Sequence, residues 1–445
     1  MTPLSPSTPA TDAGGSDRYT NYPMALGVIT TVFFMWGLLT ALNDILIPHL
    51  KSMFQLDYAQ VMLVQSTFFG AYFLMSLPGG KLVAALGYKN GVVAGLVIAG
   101  LGALGFLPAA QMHSYGAFLG ALFVLATGIT VLQVAANPYV SLLGPERTSP
   151  SRLTLAQALN SLGTALALWF GGKLILSAVV KAPDAIAALP PPEQLAYQAQ
   201  QAHAVQGPYL GLAIVLFLLA VFVALFRLPA LREATDRADA VHHGYRDVLR
   251  HPHVLFGVFG IFFYVGAEVS IGSAMVNYLS LPDIGNISEQ QAAYYTSLYW
   301  GGAMVGRFFG SWLTAHLSPR KLLAAFAAIN MLLVATTMAS HGTLAMVSVI
   351  AVGLFNSIMF PTIFALGIER LGPMTSKASS LLIMAIVGGA VIPWLFGKLA
   401  DGIGLQLAFA LPLACYAYIV FYGLSGSRIR SLAPATPNAT GEASA

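Results

Sequence analysis

Twelve long apolar segments follow one another along the chain, and they limit the folds open to it. A helix needs roughly 20 apolar residues to cross a hydrocarbon core, and each segment is close to that length or longer. Inside lipid, such a segment satisfies its backbone hydrogen bonds as a helix. Numbered as spans 1 to 12, the segments run approximately Met24–Ile47, Ala59–Leu86, Val92–Ala110, Tyr115–Leu143, Leu153–Leu176, Pro208–Phe226, Val254–Leu279, Ala292–Leu317, Leu322–Ser340, Leu344–Leu366, Ala378–Leu399 and Gln406–Leu424. The sequence therefore predicts an all-α membrane protein with twelve transmembrane helices.

The composition agrees with lipid as the solvent. Hydrophobic residues make up 57% of the chain and charged residues 9%, against about a quarter charged in a typical soluble domain. The single cysteine, Cys415, excludes an intramolecular disulfide and a cysteine metal cluster. The net charge of +4 comes from Lys and Arg in short loops between spans and does not indicate nucleic-acid binding.

Lys and Arg concentrate in alternate loops, on the side that carries both termini, and this bias predicts that the termini are cytoplasmic. We expect a multi-pass protein of a bacterial plasma (inner) membrane that functions as a monomer. The predicted organisation is a disordered tail at residues 1–23, a six-helix bundle at 24–228, a cytoplasmic linker at 229–252, a second six-helix bundle at 253–424 and a disordered tail at 425–445. Residues 181–207 become the longest outer loop.

An internal repeat relates the two bundles. Spans 4 and 10 agree at a shift of 223 residues, and spans 2 and 8 at 231. Since six spans return the chain to its starting side, the halves share one topology, and a pseudo-twofold axis along the membrane normal relates them. Transporters with this architecture bind substrate between halves that rock. Spans 5 and 11 match best, at a constant shift of 225 that pairs Ser151, Arg152, Gly163, Ala165, Trp169, Gly172, Lys173 and Leu174 with Ser376, Lys377, Gly388, Ala390, Trp394, Gly397, Lys398 and Leu399.

Polar residues that occur in one half, but not at the matching position of the other, are not needed by the scaffold and become candidates for function. Gln133 and Asn356 are a matched pair, so an amide occurs there in both halves. The unmatched residues are Asn43, Asp44, Gln157, Asn160 and Glu268, which correspond to Gly272, Ser273, Leu382, Ala385 and Leu39. Most of this unmatched polarity lies in the first half, which we predict to be the main substrate-binding wall.

Asp44 is the most specific single feature. A carboxylate within a span costs at least ~2.5 kcal/mol and normally marks an ion or proton path. Pro48 leaves the carbonyl of Asp44 without its helical partner. A carboxylate and a free carbonyl in one turn suit a hard cation, and an isolated carboxylate equally suits a proton. The alternative is a span-end residue in contact with water.

Glu268 is the second carboxylate within a span, and a role in substrate binding or cation coupling is predicted for it. It can accept hydrogen bonds from the hydroxyl groups of a substrate, take up a proton or pair with a cation, and a structural ion pair is the alternative. Arg307 is predicted to close contacts between helices at an inner gate rather than to touch substrate, with Glu268 as a second candidate partner.

Amides suit a sugar, because each offers donors and an acceptor to hydroxyls that do the same. Gln133 and Asn137 lie four residues apart on one face of span 4, with small residues between them. Aromatic residues can stack on the sugar ring, although any single one is more often packing or part of the interfacial belt. The predicted substrate-binding residues are Asn43, Gln133, Asn137, Gln157, Asn160, Glu268, Asn356, Tyr264 and Trp300.

Several short motifs carry a family resemblance. They are Phe33-Phe34-Met35-Trp36 with Leu42-Asn43-Asp44-Ile45-Leu46-Ile47-Pro48, Ala135-Ala136-Asn137-Pro138, Leu142-Leu143-Gly144-Pro145-Glu146, Leu155-Ala156-Gln157 with Asn160-Ser161, Tyr264-Val265-Gly266-Ala267, Gly306-Arg307-Phe308 and Phe360-Pro361-Thr362-Ile363-Phe364. At these residues the chain resembles the fucose/proton symporter family of the major facilitator superfamily, and more closely its glucose/galactose transporter branch. The resemblance implies the major facilitator fold and a sugar uptake carrier linked to protons or sodium. It also implies that Asp44 takes part in coupling and that Gln157 and Asn160 are polar cavity residues.

One residue departs from the family pattern, because the fucose carriers have a glutamate where this chain has Gln133. An amide cannot carry a proton. If coupling is protonic, Asp44 or Glu268 must bind the proton; if it is by sodium, Asp44 and Gln133 are the predicted ligands. The departure also favours glucose, galactose, mannose or N-acetylglucosamine over fucose.

Other classes of function fit less well. No loop carries paired carboxylates, a His-Asp pair or a Ser-His pair at recognisable spacing, and the nine histidines lack metal-ligand spacing. We therefore expect no enzyme and no cofactor beyond the coupling ion, with a small sugar, the cation and the bilayer as partners. A non-transporting sugar sensor would need the cavity but not Asp44. A multidrug exporter would prefer an apolar cavity with few amides.

Overall fold

The computed structural model describes residues 22–54, 58–112, 114–174, 189–229 and 244–429. Inside the helices, the side chains of residues 42–54, 58–62 and 168–174, and several between 195 and 205, fall outside this description. The predicted tails at residues 1–23 and 425–445 and the predicted linker at 229–252 also lie in large part outside it.

Helices account for nearly all of the described residues, and they form twelve passes. The passes are Pro23–Phe54 (span 1), Tyr58–Gln111 (spans 2 and 3), Tyr115–Leu142 (span 4), Ser149–Leu174 (span 5), Pro191–Leu225 (span 6), Pro252–Leu279 (span 7), Glu289–His316 (span 8), Pro319–Ala339 (span 9), Gly342–Asn356 with Met359–Gly367 (span 10), Thr375–Met384 with Gly388–Ile403 (span 11) and Leu405–Ala408 with Ala410–Phe421 (span 12). A short helix, Tyr245–Leu249, precedes span 7. Spans 1–6 are called half 1 below, and spans 7–12 half 2.

Nine stretches of the described residues are long and apolar enough to cross a membrane. One of them, Leu63–Gln111, is 49 residues long and holds spans 2 and 3. The backbone breaks between these two spans at Gly87, whose φ of 79° lies in the left-handed region that favours glycine. Spans 5 and 8 are less apolar than the other long helices, and they pack against each other between the halves. Their greater polarity therefore lies at the contact between the halves.

Span 6 begins earlier than hydropathy predicts. Helix Pro191–Leu225 includes residues 191–207, so the prediction of a loop there is wrong. This stretch is rich in Ala and Gln, which are good helix formers. Pro191 occupies the first helical position, where a backbone N–H would have no acceptor within the helix, so the lack of one costs nothing. Hydropathy misses the segment because it is helical but polar.

Glycines bring pairs of spans into backbone contact. Gly163 of span 5 lies so close to the carbonyl of Phe34 in span 1 that a Cβ atom would not fit. Gly388 of span 11 lies in the same way against the carbonyl of Phe262 in span 7. The two glycines are one of the pairs related by the shift of 225 residues. The sequence repeat is therefore also a repeat in packing.

The halves are hydrogen-bonded to each other on the side of the bundle where span 6 ends and span 7 begins, called the linker side below. Ser311 Oγ of span 8 donates to the carbonyl of Ser151 in span 5 at 2.9 Å. Ser376 Oγ of span 11 donates to the carbonyl of Gly80 in span 2 at 3.3 Å. Both bonds run from half 2 to the backbone of half 1, and they hold the linker side together.

Candidate functional site

Span 4 presents two buried amides, Gln133 and Asn137, with 1% and 0% of their surfaces exposed. Gln133 Nε2 donates to the hydroxyl of Tyr72 on span 2. Among the described residues, Gln133 Oε1 and both polar atoms of the Asn137 side chain have no hydrogen-bond partner. Leaving such a group buried and unpaired costs about 1–3 kcal/mol. These three atoms therefore suit a polar ligand that brings hydroxyl groups.

Span 5 carries two more of the predicted ligands, and they differ. Gln157 is 5% exposed, and its Nε2 has no partner among the described residues. Asn160 Nδ2 instead donates to the carbonyl of Phe33 in span 1 at 2.9 Å. The carbonyl of Asn160 also packs against Gly37, where a Cβ atom would not fit. Asn160 thus joins spans 1 and 5, while Gln157 keeps a free donor.

Asn43 and Asp44 lie in helix Pro23–Phe54, which continues past Pro48. Their side chains are outside the described residues, so their roles in sugar binding and coupling stay predictions. The described residues contain no cluster of three or more His, Cys, Asp or Glu side chains that could hold a metal ion. Of the two predicted sodium ligands, Gln133 offers an Oε1 that has no partner within the described ranges.

Glu268 and Arg307 form a partly buried pair at the contact between the halves. Arg307 Nη2 lies 3.8 Å from Glu268 Oε1, and the two side chains are 15% and 12% exposed. Arg307 Nη1 also donates to the hydroxyl of Ser161 on span 5. A guanidinium of half 2 therefore touches both a carboxylate of its own half and a hydroxyl of half 1. The suggested partnership of Arg307 with Glu268 is present.

Asn356 is hydrogen-bonded entirely within half 2. Its Oδ1 accepts from Asn330 Nδ2 at 2.8 Å and from the Tyr416 hydroxyl at 2.7 Å. Its Nδ2 donates to the Tyr299 hydroxyl at 2.8 Å. The repeat counterpart of Asn356 is Gln133, whose Oε1 has no partner in the part of the chain that the structure describes. Matched amides in the two halves thus have different surroundings.

The two aromatic residues predicted to bind sugar are placed differently. Tyr264 is buried, and its hydroxyl donates to Glu268 Oε1 at 2.7 Å. Trp300 is 44% exposed, and its ring meets the Tyr299 ring edge-on at 5.1 Å between centroids. The Trp300 ring also covers Gly272 of span 7. Tyr264 is therefore a hydrogen-bond partner of Glu268, whereas Trp300 has an exposed aromatic ring.

Several residues that contact the predicted ones were not singled out from the sequence. Single tyrosines, serines and asparagines inside apolar spans are common, and nothing in the repeat marks the ones that meet in space. The hydroxyl and amide partners in question are Tyr72, Ser161, Tyr299, Asn330 and Tyr416. Ser161 belongs to one of the motifs of the family resemblance, and the only sequence signal of the other four is a polar group within a span.

A proline provides one contact between the halves. Pro138 has no N–H, so the carbonyl of Val134, four residues earlier in span 4, lacks its helical donor. Ser379 Oγ of span 11 donates to that carbonyl at 3.0 Å. In the other half, Pro361 stands at the position matching Pro138, but Thr154, the match of Ser379, donates to Pro150 of its own helix. The contact is therefore made on one side of the pseudo-twofold axis.

Charged residues on the linker side lie away from these amides. Arg370 Nε of half 2 is 3.8 Å from Glu146 Oε2 of half 1, and Arg320 Nη2 is 2.6 Å from Glu369 Oε2. Burial raises the pKa of the Glu369 carboxyl, with the Arg320 guanidinium acting in the opposite direction. Glu146, Arg320 and Glu369 line a cavity of about 150 Å³.

Comparison with known proteins places the chain in a family. Residues 24–392 match the family model of the Major Facilitator Superfamily. The chain is 51% identical over 408 residues to a glucose/galactose transporter of Brucella abortus, covering 92% of this chain and 95% of the relative. It is 36% identical over 417 residues to the L-fucose-proton symporter of Escherichia coli, covering 92% and 94%.

A solved structure agrees with the fold. The crystal structure of the Escherichia coli fucose:proton symporter superposes with a TM-score of 0.84 at 34% identity, covering 91% of this chain and 98% of the other. The twelve-helix fold and the family predicted from the sequence are confirmed, and these relatives are transporters rather than enzymes. The chain is therefore a multi-pass membrane protein of the major facilitator superfamily, in the group that contains the glucose/galactose transporters and the fucose/proton symporters.

Proposed function

We propose that the protein is a secondary active transporter that moves a hexose such as glucose, galactose or mannose together with sodium or a proton, by alternating access. The printed names of the Brucella abortus and Escherichia coli relatives support a sugar substrate and symport. N-acetylglucosamine or fucose is the alternative substrate. A non-transporting sugar sensor and a multidrug exporter are the alternatives from other classes.

The observation that carries this proposal is the set of unused amide atoms in half 1. Gln133 Oε1, the two polar atoms of Asn137 and Gln157 Nε2 are buried without partners among the described residues. The set contains both donors and acceptors, which is what sugar hydroxyls require. A multidrug site would replace such groups with apolar and aromatic side chains. Asn160 and Asn356 have their own partners within the protein, so we assign sugar contact first to Gln133, Asn137 and Gln157.

Coupling is assigned to the two carboxylates of the spans, Asp44 and Glu268. Gln133 cannot bind a proton, so a protonic mechanism uses one or both of these groups. Under sodium coupling, Asp44 and the unpaired oxygen of Gln133 are the proposed ligands. Cation binding at Asp44 favours sugar binding, and by reciprocal linkage sugar binding favours the cation.

The proposed membrane orientation puts the linker side and both termini in the cytoplasm, as the Lys and Arg distribution indicates. The hydrogen bonds between the halves on the linker side then describe an arrangement closed toward the cytoplasm. Transport requires these bonds to break as the halves rock.

The test is sugar uptake into proteoliposomes under an imposed sodium or proton gradient, with a panel of labelled hexoses. We expect accumulation of at least one hexose under one of the two gradients, and exchange of that hexose in counterflow without a gradient. Binding without any exchange across the bilayer would instead identify a sensor. Efflux of unrelated hydrophobic drugs in place of hexose uptake would favour the exporter.

A further inference from the structure

Half 2 contains a buried hydrogen-bond network centred on Asn356, and the proposed sugar site does not use it. The network joins residues from spans 8, 9, 10 and 12, since Asn330, Tyr299 and Tyr416 all bond to the Asn356 side chain. Asn356 is 0% exposed and stands at the last residue of helix Gly342–Asn356, before span 10 resumes at Met359. A buried amide whose oxygen and nitrogen are both hydrogen-bonded fixes the positions of its neighbours.

Two links run from this network to Glu268. The Tyr299 hydroxyl, which accepts from Asn356, donates in turn to the backbone carbonyl of Glu268 at 3.2 Å. The Tyr264 hydroxyl is 2.7 Å from Glu268 Oε1 and 3.1 Å from the carbonyl of Asn356. Both the backbone and the carboxylate of Glu268 are thus held by groups that also contact Asn356.

The Tyr264 hydroxyl has one proton and two acceptors within reach. When Glu268 is ionised, that proton points to the carboxylate. When Glu268 is protonated, the carboxyl can donate to the Tyr264 oxygen, and the Tyr264 proton can turn to the carbonyl of Asn356 without movement of heavy atoms. The arrangement therefore holds Glu268 in one place in either protonation state.

The position of Glu268 matters because Arg307 touches both Glu268 and Ser161 of the other half. We propose that Asn356 is a positioning residue whose hydrogen-bond network holds Glu268 against Arg307. The position of Glu268 in turn sets the contact of Arg307 with Ser161. Coupling of the cation to sugar movement depends on that contact. Asn356 acts in this way without touching the sugar. This inference rests on the proposed transport function.

The test compares gradient-driven sugar accumulation with counterflow exchange in proteoliposomes of Asn356→Leu and of Tyr299→Phe. We expect the ratio of accumulation to exchange to fall in both variants by at least the roughly 2- to 12-fold that one hydrogen bond corresponds to, because each variant removes more than one bond of the network. The sugar concentration for half-maximal exchange should stay unchanged, since half 1 makes the sugar contacts. Tyr299→Phe removes only one hydroxyl group, so it still tests the proposal if Asn356→Leu fails to fold.

The matched control is Thr337→Val. Thr337 shares a buried hydrogen bond of 2.8 Å with Ser348, so it joins spans 9 and 10 as Asn330 and Asn356 do, but this pair does not contact Glu268. Its accumulation ratio should be unchanged. In a double-mutant cycle, Asn356→Leu should add nothing to the loss caused by Glu268→Gln.

The results separate this inference from the proposed function. Additive losses with Glu268→Gln, or an equal fall of accumulation and exchange in the Asn356 and Tyr299 variants, would overturn the positioning role. If the unchanged protein exchanges sugar, and all variants have the same ratio of accumulation to exchange as that protein, only this inference fails. If the unchanged protein exchanges no sugar, the proposed function fails.

Discussion

At the scale of single residues, the two amides of span 5 lead to opposite predictions. Gln157→Leu removes a buried donor that has no described partner, so thermal stability without sugar should hold or rise. The sugar Kd should rise about 2- to 12-fold, because one hydrogen bond of about 0.5–1.5 kcal/mol is lost. Asn160→Leu removes the amide donor that joins span 5 to the carbonyl of Phe33 in span 1, and should cost about 0.5–1.5 kcal/mol of stability.

These two variants are compared by thermal unfolding in detergent, with and without sugar, and by binding titration. Each serves as the control for the other, since they remove the same chemical group one turn apart in span 5. A loss of stability in Gln157→Leu with unchanged sugar affinity would show that Gln157 is a packing residue.

Asp44 supports a second prediction at this scale. Asp44→Asn keeps the size and polarity of the side chain but removes its charge, so it should abolish gradient-driven accumulation while counterflow exchange continues. The measurement is uptake under sodium and proton gradients applied separately. Asp401→Asn, an exposed carboxylate at the other end of span 11 from Ser376, is the matched control and should behave as the unchanged protein. Full accumulation in Asp44→Asn would remove Asp44 from the coupling role.

At the scale of helices, the sequence predicts where each pass lies, but it does not predict every point at which a helix is interrupted. The Gly87 break between spans 2 and 3 follows from the gap in hydropathy between Leu86 and Val92. The interruption of span 10 after Asn356 and the 3-10 turn at Ala385–Val387 in span 11 leave no gap in the apolar pattern. Polar pairing is harder still, because the partners of Asn356 come from three other spans. Only packing shows that the oxygen and the nitrogen of Asn356 are both hydrogen-bonded, whereas Gln133 Oε1 has no partner among the residues that the structure describes.

The Ser379 contact gives a prediction about helices. Ser379→Ala removes the donor to the Val134 carbonyl that Pro138 leaves free, and so weakens the closed linker side. A hydrogen bond of about 0.5–1.5 kcal/mol corresponds to a roughly 2- to 12-fold shift toward the arrangement open on that side. Spin labels at Lys81→Cys and Lys377→Cys, in a Cys415→Ala background, report the separation of spans 2 and 11 there.

The control for that experiment is Ser270→Ala. Ser270 is buried and donates to Gly266 within its own helix, so its loss should leave the distance distribution unchanged. Equal distributions for Ser379→Ala and the unchanged protein would show that the bond to Val134 contributes nothing to closure.

At the scale of the whole molecule, alternating access predicts that a covalent lock on the linker side stops transport but spares binding. Ser151 Oγ and Ser311 Oγ are 3.2 Å apart across the two halves, so Ser151→Cys with Ser311→Cys is a suitable pair for a disulfide. Because Cys415 is the only native cysteine, a Cys415→Ala background contains no other thiol. Oxidation should abolish both accumulation and counterflow, while sugar binding in detergent persists within about threefold, because the closed linker side leaves the far side free to open. A reducing agent should restore transport, and either single-cysteine variant should be insensitive to oxidation. Sugar exchange that continues through the locked protein would rule out rocking of the halves about this contact.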